Sequence, residues 1–310
     1  MWPISINEIK RLQIELTTFC NADCPSCERR NYTIENDAIY VKPLNNSEIS
    51  LKNIKEWLPL DKFHSLREIH FCGNVDEPTL HNELISICKY LKDFDVWIST
   101  NGGTKNRLFW TELAKFKNVL VIFVIDGFED TNHLYRQNVK WKKLEDNYTT
   151  FIREGGNAAW QFIVFEHNKH QIDICRDLSV REGFKWFNTV YSTRENHEVE
   201  AVPKDREQNK CIRCKATYDN NELKESFYID ALGTVWPCCW MATNYQSNVV
   251  AKQIGYRFGH YLSHNLKYDS LENIVQGDMF AFLWKNLSKF EVCNTHCLHN
   301  ISDTITWHGM

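Results

Sequence analysis

The stretch "ELTTFCNADCPSCERRN", residues 15–31, sets Cys20, Cys24 and Cys27 within eight positions, directly after a short apolar run. Three donors are one short of the set a structural zinc takes, and an odd number does not pair as disulfides. A 4Fe–4S cube has four irons. Three thiolates therefore leave one iron open to a small molecule, much as an open catalytic zinc binds water. Thiolates are soft donors suited to such a cluster, and the C-x3-C-x2-C spacing gathers them in one loop. On spacing alone, half of a zinc site is the competing reading.

The remaining cysteines also cluster. Cys211, Cys214, Cys238, Cys239, Cys293 and Cys297 fall in the last third of the chain, while Cys72, Cys88 and Cys175 stand apart. The latter three are expected to be small buried hydrophobes, Cys88 and Cys175 on apolar helix faces. Nothing at the N-terminus reads as a signal peptide, and no segment is long and apolar enough to span a bilayer. A cytoplasmic protein is expected, in which clustered cysteines serve metal sites rather than disulfides. The net charge of -4 offers no bulk attraction to nucleic acid or anionic lipid. At 43% hydrophobic over 310 residues, the chain can bury a substantial core.

The elements that must position the first cysteines follow from periodicity. Strands are predicted at 12–17, 67–73, 96–100, 118–127, 158–165 and 184–192, and helices at 47–59, 80–94, 108–116, 141–155 and 170–183. The run "NVLVIFVIDG" is nearly continuously apolar, as a parallel strand covered on both faces should be. Alternation of this kind points to parallel βα units, in a barrel or a doubly wound sheet. In both, the loops at the carboxyl ends of the strands form the active site. The polar stretch from about residue 195 reads as a linker, which divides the chain into domains 1–195 and 196–310.

Cys20, Cys24 and Cys27, after the first strand of a βα series, resemble the cluster motif of the radical S-adenosylmethionine (radical SAM) superfamily. The resemblance extends to "CGNVDEPTLH" (72–81), which looks like the family's glycine-rich segment for the SAM amino group, with Gly73, Asn74, Glu77 and Pro78 at the matching positions. "STNGG" (99–103) stands where the family places ribose contacts, making Ser99, Thr100 and Asn101 candidates. "IDGFEDTNHLYR" (125–136) resembles the family's stretch after the fourth strand, so Asp126 and Arg136 are expected to face cofactor or substrate; Gln161 on the fifth strand joins them. One position departs from the pattern: Ser26 stands where the family usually has an aromatic residue near the adenine.

This resemblance implies a partial (β/α)6 TIM-like barrel, with SAM chelated to the open iron. It implies reductive cleavage of SAM to a 5'-deoxyadenosyl radical that abstracts hydrogen from a substrate. It also implies an electron donor such as flavodoxin or ferredoxin. The segment "CIRCKATYDNNELKESFYIDALGTVWPCCWMA" (211–242) is similar to the SPASM and twitch extensions of these enzymes, with "FYIDALGTVWPC" forming a hairpin around Gly233. Six cysteines are too few for two auxiliary clusters and enough for one. The expected ligands are Cys214, Cys238, Cys293 and Cys297; Cys211 and Cys239 are spares and possible hydrogen donors, and Cys211 could replace Cys214.

The substrate expected is small and polar, such as a sugar or aminocyclitol, leading to dehydrogenation or epimerisation. The first strand begins near residue 12, which leaves no room for a leader-binding domain before it. Modification of a peptide is the alternative. From another class, a non-catalytic zinc- or cluster-binding protein would use the same thiolates. Trp236, Trp240 and Trp307 are expected in core packing.

Overall fold

The computed structural model describes residues 5–27, 29, 47–192, 199–200, 202, 218–219, 222–223, 226–244, 264–286, 289–290, 292–293 and 308–309. In chain order, the first half of the elements is β1 (Arg11–Ile14), α1 (Leu51–Trp57), β2 (Glu68–Phe71), α2 (Leu84–Tyr90), β3 (Asp95–Thr100), α3 (Arg107–Leu113), β4 (Val119–Val124), α4 (Glu129–Tyr135), α5 (Trp141–Arg153), β5 (Asn157–Val164), α6 (Ile172–Glu182) and β6 (Trp186–Tyr191). There follow β7 (Tyr218–Asp219), β8 (Glu222–Leu223), β9 (Ser226–Ile229), β10 (Val235–Trp236), α7 (Cys239–Asn244), α8 (Leu271–Gln276), α9 (Asp278–Lys285) and β11 (His308–Gly309). The elements form two compact units, one of Met1–Leu16, Tyr32–His70 and Arg206–Thr304, the other of Thr17–Asn31, Phe71–Asp205 and Ile305–Met310.

In the second unit the strand order is β3–β4–β5–β6–β11. The pairs β3–β4, β4–β5 and β5–β6 are parallel and β11 is antiparallel to β6. Every residue of β4 is buried, as its unbroken apolar sequence requires for a strand covered on both faces. Phe123, Trp160 and Phe187 lie side by side in register. Around Phe123 and Trp160 pack Trp110 of α3, Tyr148 and Phe151 of α5, and Phe184. The alternate residues Leu120, Ile122 and Ala159 form a separate cluster with Trp97 and Trp186, as the two-residue period of a strand demands. The indole N–H groups of Trp110 and Trp160 are not stranded in this core. They donate to the carbonyls of Thr104 (3.2 Å) and Ile125 (2.8 Å). On α5, Leu144, Tyr148 and Phe151 are buried on one face. The fourth buried residue, Asn147, is polar because it donates to the Gly102 and Thr104 carbonyls at 2.7 and 2.8 Å, fixing the turn after β3.

In the first unit the order is β10–β9–β1–β2. The pair β1–β9 is parallel and β9–β10 antiparallel. Ser50 caps α1 by accepting from the Asn53 amide at 3.1 Å.

The mostly parallel α/β architecture is the one expected from the alternation. One element differs from the expectation. Residues 129–135 form the helix α4, whose buried residues include Thr131 and Asn132 beside Tyr135. Polar burial hides the apolar period that normally signals a helix. Cys88 and Cys175 are fully buried as expected, whereas Cys72 is only partly buried. Among the described residues, no helix is long and apolar enough to cross a membrane.

Candidate cluster-binding site

The loop bearing Cys20, Cys24 and Cys27 is tied at several points to the segments that follow β2 and α4. The Thr17 amide donates to the Asp76 carboxylate at 3.1 Å, Glu77 N–H to the Phe19 carbonyl at 2.8 Å, and Asp23 N–H to the Gln137 carbonyl at 3.1 Å. Within the loop, Cys27 N–H donates to the Cys24 carbonyl at 3.0 Å, a tight turn that brings the last two cysteines together. The Arg29 guanidinium donates to the carbonyls of Thr18 and Val75. Cys24 lies among Tyr135, Phe165 and Val199, with Cys27 packed against the same group.

Behind Cys20 stands a polar knot built from the ends of β2 and β3. Glu77 is buried and accepts from the Thr79 hydroxyl (2.6 Å), the Thr79 amide (3.2 Å), the Thr100 hydroxyl (2.5 Å) and the Asn101 amide (2.7 Å). Burial pushes its carboxyl pKa up, and these donors, Thr100 first, oppose that shift. The Asn101 side-chain amide in turn reaches the Cys20 Sγ at 3.9 Å and the Asn21 side-chain oxygen at 2.8 Å. The same side chain accepts from Gly103 N–H at 2.8 Å, which fixes its direction.

A second group forms around Cys24. Arg136, the residue closing α4, donates from Nε to Asp126 at 2.7 Å and from Nη1 to Cys24 Sγ at 3.7 Å. Asp126 also accepts from the Ile163 amide at 2.7 Å. Burial raises the Asp126 pKa, opposed first by the guanidinium. Burial also works against the charge on Arg136, but Asp126 and then Cys24 outweigh it, and the guanidinium is held protonated. With the guanidinium and an amide both donating to it, the Asp126 carboxyl is the anionic half of this pair.

Of the other expected residues, Gly73 has a positive φ of 57°, and a Cβ there would stand 2.9 Å from the Ser99 carbonyl oxygen, so a larger side chain is excluded. Pro78 starts the short 3-10 turn Pro78–Leu80. Asn74 is half-buried beside it. Gln161 lies in register with Asn188, and its carbonyl accepts from Ile125 N–H at 3.0 Å. The structure thus brings Cys20, Glu77, Thr100 and Asn101 into one group, and Cys24, Asp126 and Arg136 into another. Sequence reasoning missed Asp76, Thr79 and Asn21. Each is a short polar residue just after a strand, the residue type that bonds to nearby backbone and shapes loops.

The donor chemistry fits an iron–sulfur cluster. Burial pushes the thiol pKa values of Cys20 and Cys24 up, and the neighbouring cysteines add to it. Two thiols so placed can shed their protons together only when a cation replaces them.

In the other unit, the expected hairpin around Gly233 is present. Asp230 accepts from Leu232 N–H, Thr234 N–H and the Trp236 indole at 2.9, 2.9 and 3.0 Å. Burial raises the Asp230 pKa, opposed first by that indole. Gly233 has a φ of 86°, and a Cβ on it would lie 2.8 Å from the Trp57 ring. Cys238 follows the hairpin, Cys239 opens α7, and Cys293 is buried. Trp236 packs edge-on to His264, with centroids 5.0 Å apart. Cys211, Cys214, Cys297 and Trp307 lie outside the described residues.

Residues 221–298 match the model of SPASM, an iron-sulfur cluster-binding domain. Over 124 residues, 38% of this chain, the sequence is 29% identical to the tungsten-containing aldehyde ferredoxin oxidoreductase cofactor-modifying protein of Pyrococcus furiosus. The match spans 31% of that relative, under a third of its length. Among solved structures, Streptococcus suis SuiB bound to the precursor peptide SuiA superposes with a TM-score of 0.62 at 13% identity, covering 92% of this chain and 67% of that one. Native anSMEcpe with bound AdoMet gives 0.58 at 14% identity, covering 88% and 82%. The chain therefore shares the fold of SuiB and anSMEcpe and carries, over residues 221–298, a region that matches the SPASM model. The two features that the resemblance implied occur together in one chain.

Proposed function

We propose that this protein is a radical SAM enzyme whose barrel cluster is held by Cys20, Cys24 and Cys27. A 4Fe–4S cluster held there, with S-adenosylmethionine bound, would supply the one-electron chemistry that cleaves the sulfonium reductively and abstracts a hydrogen atom from substrate. The observation that supports this reading is the convergence on one loop of groups from three successive strand ends: Glu77 after β2, Thr100 and Asn101 at the end of β3, and the Asp126–Arg136 pair after β4. A structural metal loop needs none of them.

The chain's residues divide the work. Gly73, Asn74, Glu77 and Pro78 shape the segment that receives the SAM amino group, with Glu77 acting as its internal brace. Ser99, Thr100 and Asn101 stand toward the ribose, Gln161 toward the cofactor from β5, and Asp126 and Arg136 flank the cysteine loop. In the C-terminal region, domain 196–310 of the proposed division, Cys214, Cys238, Cys293 and Cys297 hold one auxiliary cluster. Cys239 and Cys211 are the thiols available to return a hydrogen atom. Electrons come from a flavodoxin- or ferredoxin-type donor.

The substrate is a small polar molecule of the sugar or aminocyclitol class, which leaves dehydrogenated or epimerised. A second reading has a specific observation in its favour. SuiB, whose fold covers most of this chain, was solved with a precursor peptide bound, and a peptide is the alternative substrate. Anaerobic reconstitution with iron and sulfide tests the core of the proposal. About eight irons per chain, from one barrel and one auxiliary cluster, and 5'-deoxyadenosine formed on adding SAM and dithionite are expected. Zinc bound at purification, with no deoxyadenosine formed, would support the non-catalytic alternative. Product formed in deuterated water separates the outcomes: solvent deuterium at one carbon marks epimerisation, and loss of two hydrogens marks dehydrogenation.

A further inference from the structure

Two of the three barrel cysteines have an N–H donor aimed at their sulfur, and the two donors differ in kind. Asn101 brings a neutral amide to Cys20 Sγ at 3.9 Å. Arg136 brings a full positive charge to Cys24 Sγ at 3.7 Å. Resting on the reading of Cys20, Cys24 and Cys27 as cluster ligands, we propose that the Asp126–Arg136 pair sets the reduction potential of the barrel cluster, with Arg136 making it easier to reduce by stabilising the added negative charge through Cys24.

Iron–sulfur potentials respond to hydrogen bonds on the ligand sulfurs and to nearby charge. Adding one electron makes the cluster more negative. A cation or an N–H dipole pointed at a ligand sulfur stabilises the reduced form and raises the potential. The surroundings otherwise work the opposite way: the carboxylate of Glu77 acts electrostatically on Cys20, and that of Asp126 on Cys24. Arg136 faces this negative field. Its Nη1 donates to the Cys24 sulfur while Asp126 holds Nε, so the member of the pair that touches the sulfur is the cation.

The guanidinium is also fixed. Its side chain is 14% exposed and that of Asp126 0%. Nε is held by Asp126 at 2.7 Å, the Arg136 amide donates to the Asn132 carbonyl at 2.7 Å, and the guanidinium lies 5.0 Å from the Tyr135 ring centroid. The Tyr135 ring itself rests on Phe165, with centroids 4.5 Å apart. Asp126 is aimed in turn by the Ile163 amide, and Asn132 accepts from the Asp126 amide at 2.9 Å. With Nε bound to Asp126, Nη1 donates to the Cys24 sulfur at 3.7 Å. An arginine free to sample solvent would be a surface charge of small and salt-screened effect; a fixed one works in low dielectric.

The test is an EPR-monitored redox titration of the reconstituted holoprotein, following the cluster signal that SAM addition perturbs. Arg136→Gln removes the charge and, ending two bonds short of Nη1, the donor at the Cys24 sulfur as well. Its midpoint should fall by about 59 mV or more, a tenfold loss in the reduced-to-oxidised ratio at fixed donor potential. Arg136→Lys keeps the charge and loses the planar fork, and should fall by less; it also serves where the glutamine variant leaves Asp126 too poorly paired to fold. The auxiliary-cluster midpoint should not move in either variant. Unchanged barrel midpoints in variants with full iron content overturn the proposal. Wild-type protein that builds no SAM-responsive cluster overturns the ligand assignment beneath it, and that result is read before any variant is made.

Discussion

The barrel loop and the C-terminal hairpin are both cysteine-bearing turns organised by one carboxylate, buried at Glu77 and half-buried at Asp230, and the two carboxylates work over very different distances along the chain. Asp230 bonds to Leu232, Thr234 and Trp236, two to six residues away. Glu77 accepts from Thr100 and Asn101, more than twenty residues away, and its amide is bound to Phe19. The hairpin can therefore form from its own sequence, and Cys238 emerges from a locally determined turn. The barrel loop has no such autonomy. It takes its shape only after β3 is paired in the sheet and the carbonyls and carboxylates of three strand ends are in place. The cofactor proposed for this loop, cleaved by a single electron, would need its surroundings fixed in advance, and long-range bracing would supply that.

Removing the thiolates themselves should separate the two regions most sharply. Cys20→Ala, Cys24→Ala or Cys27→Ala is expected to abolish 5'-deoxyadenosine formation, with about four irons per chain remaining. Cys238→Ala or Cys293→Ala should leave measurable SAM cleavage while blocking product. If the second pair of variants turns over substrate normally, the auxiliary-cluster assignment falls. If either set abolishes both activities and all iron, the two cysteine groups are not independent sites.

The carboxylates provide the next test. Glu77→Ala strands four donors in a buried site and should cost roughly 3–5 kcal/mol, since each orphaned donor carries a penalty of about 1–3 kcal/mol and the site relaxes in part. Asp230→Ala frees three donors that are exposed or only part-buried, so water replaces much of the loss and the cost should be roughly 1–2 kcal/mol. The effects on metal content should differ more than those on stability. Glu77→Ala should lower the iron held by the barrel cysteines, because Asn101 loses its anchor beside Cys20. Asp230→Ala should spare it. Urea unfolding together with iron quantification would check both, and equal loss of barrel iron in the two variants would contradict the local-versus-distant distinction.

This contrast also explains what was readable beforehand. The strand–helix alternation was legible because β4 is apolar throughout and because Tyr148 and Phe151 recur on one face of α5. The three cysteines and the GNVDEP segment were legible as types and spacing. The hairpin was legible because a short turn with a left-handed glycine is a local fact. What could not be read was which polar residues meet. Nothing in the spacing tells Asp76 from any other acid, yet it holds the Thr17 amide. The helix α4 was hidden because Asn132 is buried for its hydrogen bond to Asp126 N–H, not for its hydrophobicity. Arg136 could be nominated from its motif, but its aim at Cys24 depends on where that helix ends.

The smallest effect belongs to the hairpin glycine, and it probes the local side of the contrast directly. Gly233 has a φ of 86°, and an added Cβ would come within 2.8 Å of the Trp57 ring. A left-handed backbone costs a residue with a side chain about 1–2 kcal/mol, and the close ring adds overpacking of about 1–3 kcal/mol unless Trp57 shifts. Gly233→Ala is therefore expected to destabilise by roughly 2–3 kcal/mol, within the sum of those two penalties once the ring yields. Trp57→Phe in the same chain relieves the contact and leaves the backbone term. A double-mutant cycle between the two should show coupling of about 1 kcal/mol. Additive effects would mean that the glycine is there for its backbone alone and that the ring above it is a bystander. Either way the barrel cluster is expected to keep its iron and its midpoint, since Glu77 is braced by Thr79, Thr100 and Asn101 and Arg136 by Asp126.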